Sequence, residues 1–190
     1  MPRLEELRKR LPNARLKFLN LSTSEAVKRL ADGVIDFALV RKDAVSKPLQ
    51  AHSIGDMTYS LFVPGGLPAA SGPKAILKAL DGLPLATLEG EGSFRGELAA
   101  LAKKQGLSLN IQVECSSFPL AARAAAKGNV AAILPSIAAS ELVKAGVQEI
   151  NVPFLKHFER EMCLASNARL FRIRPILQKV ADVLTQICRF

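Results

Sequence analysis

Hydroxyl residues recur at one kind of position in this chain: directly after an apolar run and directly before a helical pattern. Ser22 and Thr23 stand there, as do Ser93, Ser116 with Ser117, and Ser136. A helix start carries unsatisfied backbone N–H groups and a partial positive charge. Several such starts facing one crevice would hold a small anion. Ser and Thr also cap helices everywhere, so capping alone explains any single one. Their repetition along the chain is what raises the binding reading. Arg41 follows the apolar run 35–40 (IDFALV) at its carboxyl end. A guanidinium there can grip a carboxylate through two parallel hydrogen bonds, the competing reading being a solvated Arg beside Lys42. Phe118 and Pro119 open a helix, where they either wall an apolar pocket or pack in the core.

Catalytic and metal chemistry find less support. The chain has no G-x-S-x-G elbow, no H-E-x-x-H and no P-loop lysine. Its two histidines, His52 and His157, lie far apart and lack Cys or acidic partners at ligand spacing, so no metal site is expected. The three cysteines, Cys115, Cys163 and Cys188, suit neither a disulfide framework nor C-x-x-C geometry and read as buried thiols in a reducing cytosol. One stretch imitates a dinucleotide fingerprint: Gly90-x-Gly92-x-x-x-Gly96, with Glu114 ending the next strand. The third Gly falls one residue late, Arg95 takes its place, and Glu89 and Glu91 would face the pyrophosphate. A nucleotide-dependent oxidoreductase using this loop is therefore the alternative reading, and no cofactor is expected.

The elements that position these residues follow a rhythm of strand, capped helix and Gly stop. Residues 15–21 (RLKFLNL) alternate as a strand. Ser22-Thr23-Ser24-Glu25 forms a capping box, and the helix it starts carries Ala26, Val27, Leu30 and Ala31 and stops at Gly33. The run 35–40 lacks alternation and so reads as a strand buried on both faces. The second half repeats the theme. Strands are expected at 84–88, 109–115 and 130–134. Helices are expected from Ser93 to Gly106, from Ser116-Ser117 to Gly128 and from Ser136 to near Gly146. A strand at 159–167 and a helix opened by Pro175, with Ile176, Leu177, Val180, Leu184 and Ile187 on one stripe, close the chain. Such alternation implies βαβ units and a mostly parallel sheet. The Pro- and Gly-rich stretch 64–73 and residues 151–158 look like crossings between two lobes. Lobe I would comprise 1–63 plus 157–190, and lobe II 64–156.

Composition sets the outer limits. The 190 residues, 49% apolar and 23% charged, are those of a globular chain rather than a disordered one. No run approaches a membrane span, and the charged start MPRLEELRKRLP is unlike a signal peptide, so a cytoplasmic protein without membrane partners is expected. The net charge of +9 attracts anions, but the basic residues are dispersed and Arg8-Lys9-Arg10 is the densest cluster. No helix-turn-helix, zinc finger or basic-zipper pattern is present. Nine Phe, one Tyr and no Trp argue against binding on a wall of stacked rings.

Residues 12–41 (PNARLKFLNLSTSEAVKRLADGVIDFALVR) resemble the effector-binding domain of LysR-type transcriptional regulators. The likeness runs through Pro12, the 15–21 segment, Ser22-Thr23-Ser24-Glu25, Leu30, Asp32-Gly33, Ile35-Asp36 and Arg41. It continues at Pro48-Leu49, at Leu61-Phe62-Val63-Pro64 and at Lys127-Gly128-Asn129-Val130-Ala131-Ala132-Ile133-Leu134-Pro135, and more loosely over most of the chain. The resemblance implies an α/β fold of two Rossmann-like lobes, of the periplasmic-binding-protein type 2 kind, joined by two crossover segments. It implies a regulatory domain, not an enzyme, that binds a small effector, here an organic anion, and forms a homodimer. A freestanding ligand binder of the same fold is a further alternative.

By position, the resemblance carries effector contacts onto Thr23 and Arg41 in lobe I and onto Ser117, Phe118 and Pro119 in lobe II, with Ser93 and Pro135 as further candidates. The family's winged helix-turn-helix is absent from this sequence, so DNA would be met only through a domain outside it. The family's first strand is absent too. The expected consequence is an unfilled slot in the lobe I sheet, with backbone donors and acceptors open to another chain.

Overall fold

The structure is a computed structural model and describes residues 3–65, 67, 80–88 and 93–189. Its contacts divide the chain into two compact units, residues 1–56 with 160–190, and residues 57–159. Its elements begin with helix α1 (Leu4–Arg10), helix α2 (Thr23–Ala31) and strands β1 (Phe37–Arg41), β2 (Leu49–Met57) and β3 (Tyr59–Pro64). Strand β4 (Pro84–Leu88), helix α3 (Ser93–Lys104), strand β5 (Asn110–Cys115), helix α4 (Phe118–Lys127) and strand β6 (Ala131–Pro135) follow. A short helix α5 (Ala139–Leu142) leads to β7 (Val147–Ile150), β8 (Arg160–Asn167), α6 (Ala168–Ile173) and α7 (Ile176–Ile187).

The second unit holds a five-stranded sheet in the order β5-β4-β6-β3-β7. β4 runs parallel to β5 and β6, whereas β3 runs antiparallel to β6 and β7, so the sheet is mixed rather than mostly parallel. Its central strands are buried on both faces, as unbroken apolar runs require. Leu61, Val63, Leu85, Ala131 and Ile133 point into one core with Leu98 of α3. Phe62, Ala86, Ala132 and Leu134 point into the other with Ala121 and Ala125 of α4. The pairing of β3 with β6 and β7 puts residues 59–64 in this unit. The two passages of the chain between units fall at 56–57 and 159–160, the first before the Pro- and Gly-rich stretch 64–73 and the second just after residues 151–158.

The first unit holds a three-stranded sheet, β1-β8-β2, with β1 antiparallel to β8. One core packs Ala26 and Leu30 of α2 on Ala38, Val40, Cys163 and Ala165. Others join Ile54 and Leu164 to Ala181 of α7, and Leu7 and Leu11 to Val183 and Ile187. Asn167 ties the layers together: its Nδ2 donates to the carbonyls of Leu30 and Ala31, and its Oδ1 caps α6 at the Arg169 N–H. Ile176, expected on the buried stripe of the last helix, is 63% exposed.

Two expectations fail here for one reason. Residues 15–21 form no strand, and β1 is not buried on both faces, since Ala38 and Val40 are buried while Leu39 is 53% exposed. A strand exists only with a ladder partner. Among the described residues β1 pairs with β8 alone and nothing pairs with residues 14–22. The apolar alternation of 15–21 is real, but Phe18 and Leu19 remain exposed.

Candidate functional site

In the first unit, Ser22 caps α2 by accepting a hydrogen bond from the Glu25 N–H at 3.3 Å. The reciprocal half of the capping box does not form, because the Glu25 carboxylate reaches forward to Arg29 at 2.6 Å. Gly33, at a φ of 70°, turns the chain from α2 back into β1. The helix and strand then pack antiparallel, which brings Thr23 at the start of α2 to the same end of the unit as Arg41 at the close of β1. Thr23 is partly exposed. The Arg41 side chain is 42% exposed, and its Nε lies 3.5 Å from Asp43 Oδ1, which leaves the guanidinium fork open to a second carboxylate. Lys42 turns the other way, with Nζ 2.7 Å from Glu161 Oε1, which also accepts from Ser53 Oγ at 2.8 Å. These bonds hold the Glu161 carboxyl below the usual carboxylate range, and the bond to Glu161 pushes the Lys42 ammonium up.

In the second unit, α4 begins at Phe118 with Pro119 next, where no N–H is needed. Ser117 is its N-cap residue, yet its hydroxyl makes no capping bond. The capping role expected of it is thus not the one it plays, and the hydroxyl is left for another partner. At the far end, a Cβ on Gly128 would meet the Ala124 carbonyl oxygen at 2.7 Å, so the residue is required by close approach. Ser136 likewise caps nothing. Its Oγ accepts from Thr58 Oγ1 at 3.0 Å and lies 2.9 Å from Ser60 Oγ, while its N–H donates to the Thr58 carbonyl. Hydroxyls from the start of β3 and the end of β6 meet because Tyr59 faces Pro135 in the β3–β6 register.

Phe118 belongs to an aromatic cluster that the sparse aromatic content did not foretell. Tyr59 stacks on Phe94 at 4.9 Å and lies 6.0 Å from both Phe118 and Phe158. Phe94 in turn meets Phe158 at 4.8 Å and Phe118 edge-on at 6.0 Å. Such pairs fix ring positions beyond what area burial does. The chain's single Tyr and Phe94 each meet the other three rings, and Tyr59 also lines a cavity of about 670 Å³ with Thr58, Ser60, Ser136, Asn151 and Lys156. Glu149, Leu155 and Glu159 complete its wall. This cavity opens where β6 and β7 end, at the carboxyl ends of strands, the place that open α/β sheets use for ligands.

The predicted residues therefore fall into two sets. Thr23 and Arg41 share one end of the first unit. Phe118 and Pro135 meet through Tyr59 in the second, with Ser117 and Pro119 beside Phe118. The Ser93 side chain, like the loop 89–92, lies outside the described residues. Thr58, Tyr59, Ser60 and Lys156 escaped the sequence reading, though a polar Thr-Tyr-Ser triplet opening a buried strand was a usable signal.

The oxidoreductase reading weakens at Glu114, whose carboxylate is 2.7 Å from Arg95 Nη1 and so is not waiting for a ribose. Among the described residues no cluster of three or more His, Cys, Asp or Glu could hold a metal ion. No helix among them is long and apolar enough to cross a membrane.

Two α/β units, each packed around its own sheet, define a fold of the periplasmic-binding-protein type 2 kind. A family profile described as the LysR substrate binding domain matches residues 1–189, and the chain belongs to that family. Among solved structures it is similar to the probable transcriptional regulator PA0477 from Pseudomonas aeruginosa, at 22% identity and a TM-score of 0.73. That match covers 96% of this chain and 62% of the other, so this chain spans about three-fifths of the regulator's length. Full-length CbnR in complex with its target DNA matches at 18% identity and a TM-score of 0.66, over 98% of this chain and 65% of that one. The sulfate-bound regulatory domain of a mutant OxyR2 from Vibrio vulnificus matches at 17% identity and a TM-score of 0.66, over 97% and 87%. No curated protein matches the sequence significantly.

Proposed function

We propose that this chain is the effector-binding part of a LysR-type transcriptional regulator and that its effector is a small organic anion. The family match over residues 1–189 carries this reading. Arg41 supplies the charge for it, with Thr23 at the same end of the first unit. Ser117, Phe118, Pro119 and Pro135 are the contacts proposed in the second unit, and Ser93 stays with them on sequence grounds alone. A ligand moves the domain between states only by its difference in affinity for them.

The role proposed is regulatory rather than catalytic, in the cytoplasm, without a cofactor of its own. Two copies are proposed to pair through this domain, and DNA is met through a domain outside this chain. The likeness to CbnR, solved with its target DNA, supports that division of labour.

The test is a thermal-shift screen of small organic acids, since a ligand of the folded state raises its melting temperature. Calorimetry with the acid so identified should then show Arg41→Ala weakening binding by about 1.5–3 kcal/mol, as for a hydrogen bond to a charged group. Unchanged affinity would remove Arg41 from the site.

A further inference from the structure

The wall of the second unit's cavity carries both signs of charge together with a hydroxyl cluster. Glu149 and Lys156 both line it, and neither forms an ion pair among the described residues. Glu149 stands on β7 and Lys156 on the 3-10 turn Pro153–Phe158, so separate backbone elements hold them.

The hydroxyls have an arithmetic of their own. Thr58, Ser60 and Ser136 bring three O–H groups, and two hydrogen bonds link them. Whichever way the Ser60–Ser136 bond runs, one hydroxyl hydrogen and most of the oxygen lone pairs stay available. Ser60 is only 6% exposed, Ser136 is half-buried and Thr58 is exposed, so the trio leads from the surface inward. Asn151 adds an amide that both donates and accepts.

A purely anionic ligand would use Lys156 and meet the carboxylate of Glu149 as repulsion. A purely cationic one would use Glu149 and meet Lys156. We propose that this cavity takes a small zwitterion bearing an ammonium and a carboxylate, of the α-amino-acid type, with its hydroxyl or backbone-like polar atoms on the Thr58–Ser60–Ser136 trio. This deepens the effector reading, on which it rests through Tyr59, the neighbour of Pro135 and Phe118, by assigning the ligand a second charge. The stacked Tyr59 ring holds one side of the site in place.

Three probes of one size separate the possibilities: L-serine carries both charges, glycerate the carboxylate alone and serinol the ammonium alone. Each is titrated into the 190-residue chain while backbone amide NMR signals are followed. L-serine should shift the amides of Ser60, Ser136 and Asn151 saturably, with a dissociation constant about two- to fivefold below those of glycerate and serinol, the scale of one exposed ion pair.

Glu149→Gln should reduce L-serine to the level of glycerate, and Lys156→Gln to the level of serinol. The broader reading has its own test in the Arg41→Ala calorimetry, so an acid effector lost on that substitution while L-serine moves none of these amides would leave that reading standing and overturn this one. Glycerate or serinol binding as well as L-serine would overturn the proposal. So would the absence of saturable shifts at these amides up to about 50 mM, beyond the range of a specific millimolar site.

Discussion

The two units solve the same problem with unequal means. In the second, a five-stranded sheet is covered on both faces, and Phe62 on its interior strand β3 is fully buried. In the first, a three-stranded sheet ends at β1, whose own Leu39 is exposed, and Phe18 and Leu19 of the unpaired segment before α2 are exposed too. The difference shows that apolar alternation promises a strand but that only a neighbouring strand delivers it. A unit with a complete set of partners is stabilised by its core. A unit with an open edge leans on side chains such as Asn167, which satisfy backbone groups that no ladder reaches.

Substitution on an interior strand of that sheet should have the largest effect. Phe62→Ala removes a fully buried ring and should lower stability by about 3–5 kcal/mol in urea unfolding. A loss below about 1 kcal/mol would mean the core re-forms around the gap, and the contrast between units would blur. Asn167→Ala should come next, because its buried amide serves two α2 carbonyls and one α6 N–H. Leaving such groups unpaired costs about 1–3 kcal/mol.

The Lys42–Glu161 pair gives a smaller, pH-dependent effect. Because Glu161 titrates below its ordinary range when folded, its contribution is present above that range and is lost as pH falls through the depressed value. Because Lys42 titrates above its ordinary range, its contribution is present below that range and is lost as pH rises through the raised value. Carbon NMR titration of the Glu161 carboxyl should show Lys42→Met moving it back up further than Ser53→Ala does, since the Lys42 bond is the larger cause. The reverse order would place the main hold on the serine.

Phe18→Ser should change stability least, within about 0.5 kcal/mol, because the ring is 55% exposed and lies in no ladder. Fast amide hydrogen exchange throughout 14–22 would agree. Protection there comparable to β8 would show the segment to be paired in solution and would remove the asymmetry between units.

Much of this architecture was legible because the second unit's strands are apolar on both faces and their helices end at marked residues. Residues 84–88 and 130–134 read as strands, and Gly106 and Gly146 as stops, because both glycines adopt positive φ values that other side chains resist. The β2, β3 and β7 strands were not read, since Leu49–Met57 carries few apolar residues and Val147–Ile150 is too short for a period. The candidate site was legible as a set of helix starts but not as a set of contacts. Ser136 and Ser117 look like caps in sequence, and only the antiparallel return of β3 brings Thr58 and Ser60 to Ser136. The aromatic cluster was hidden for the same reason: Tyr59, Phe94, Phe118 and Phe158 are far apart in the chain and meet only through the sheet order.

The proposal that Arg41 grips a small organic acid is the central one. Amide chemical-shift mapping of the whole chain, with an organic acid that raises its melting temperature, tests this most directly. Saturable shifts at Thr23 and Arg41, lost on Arg41→Ala, are predicted. Saturable shifts elsewhere that leave both of these amides unmoved would contradict it.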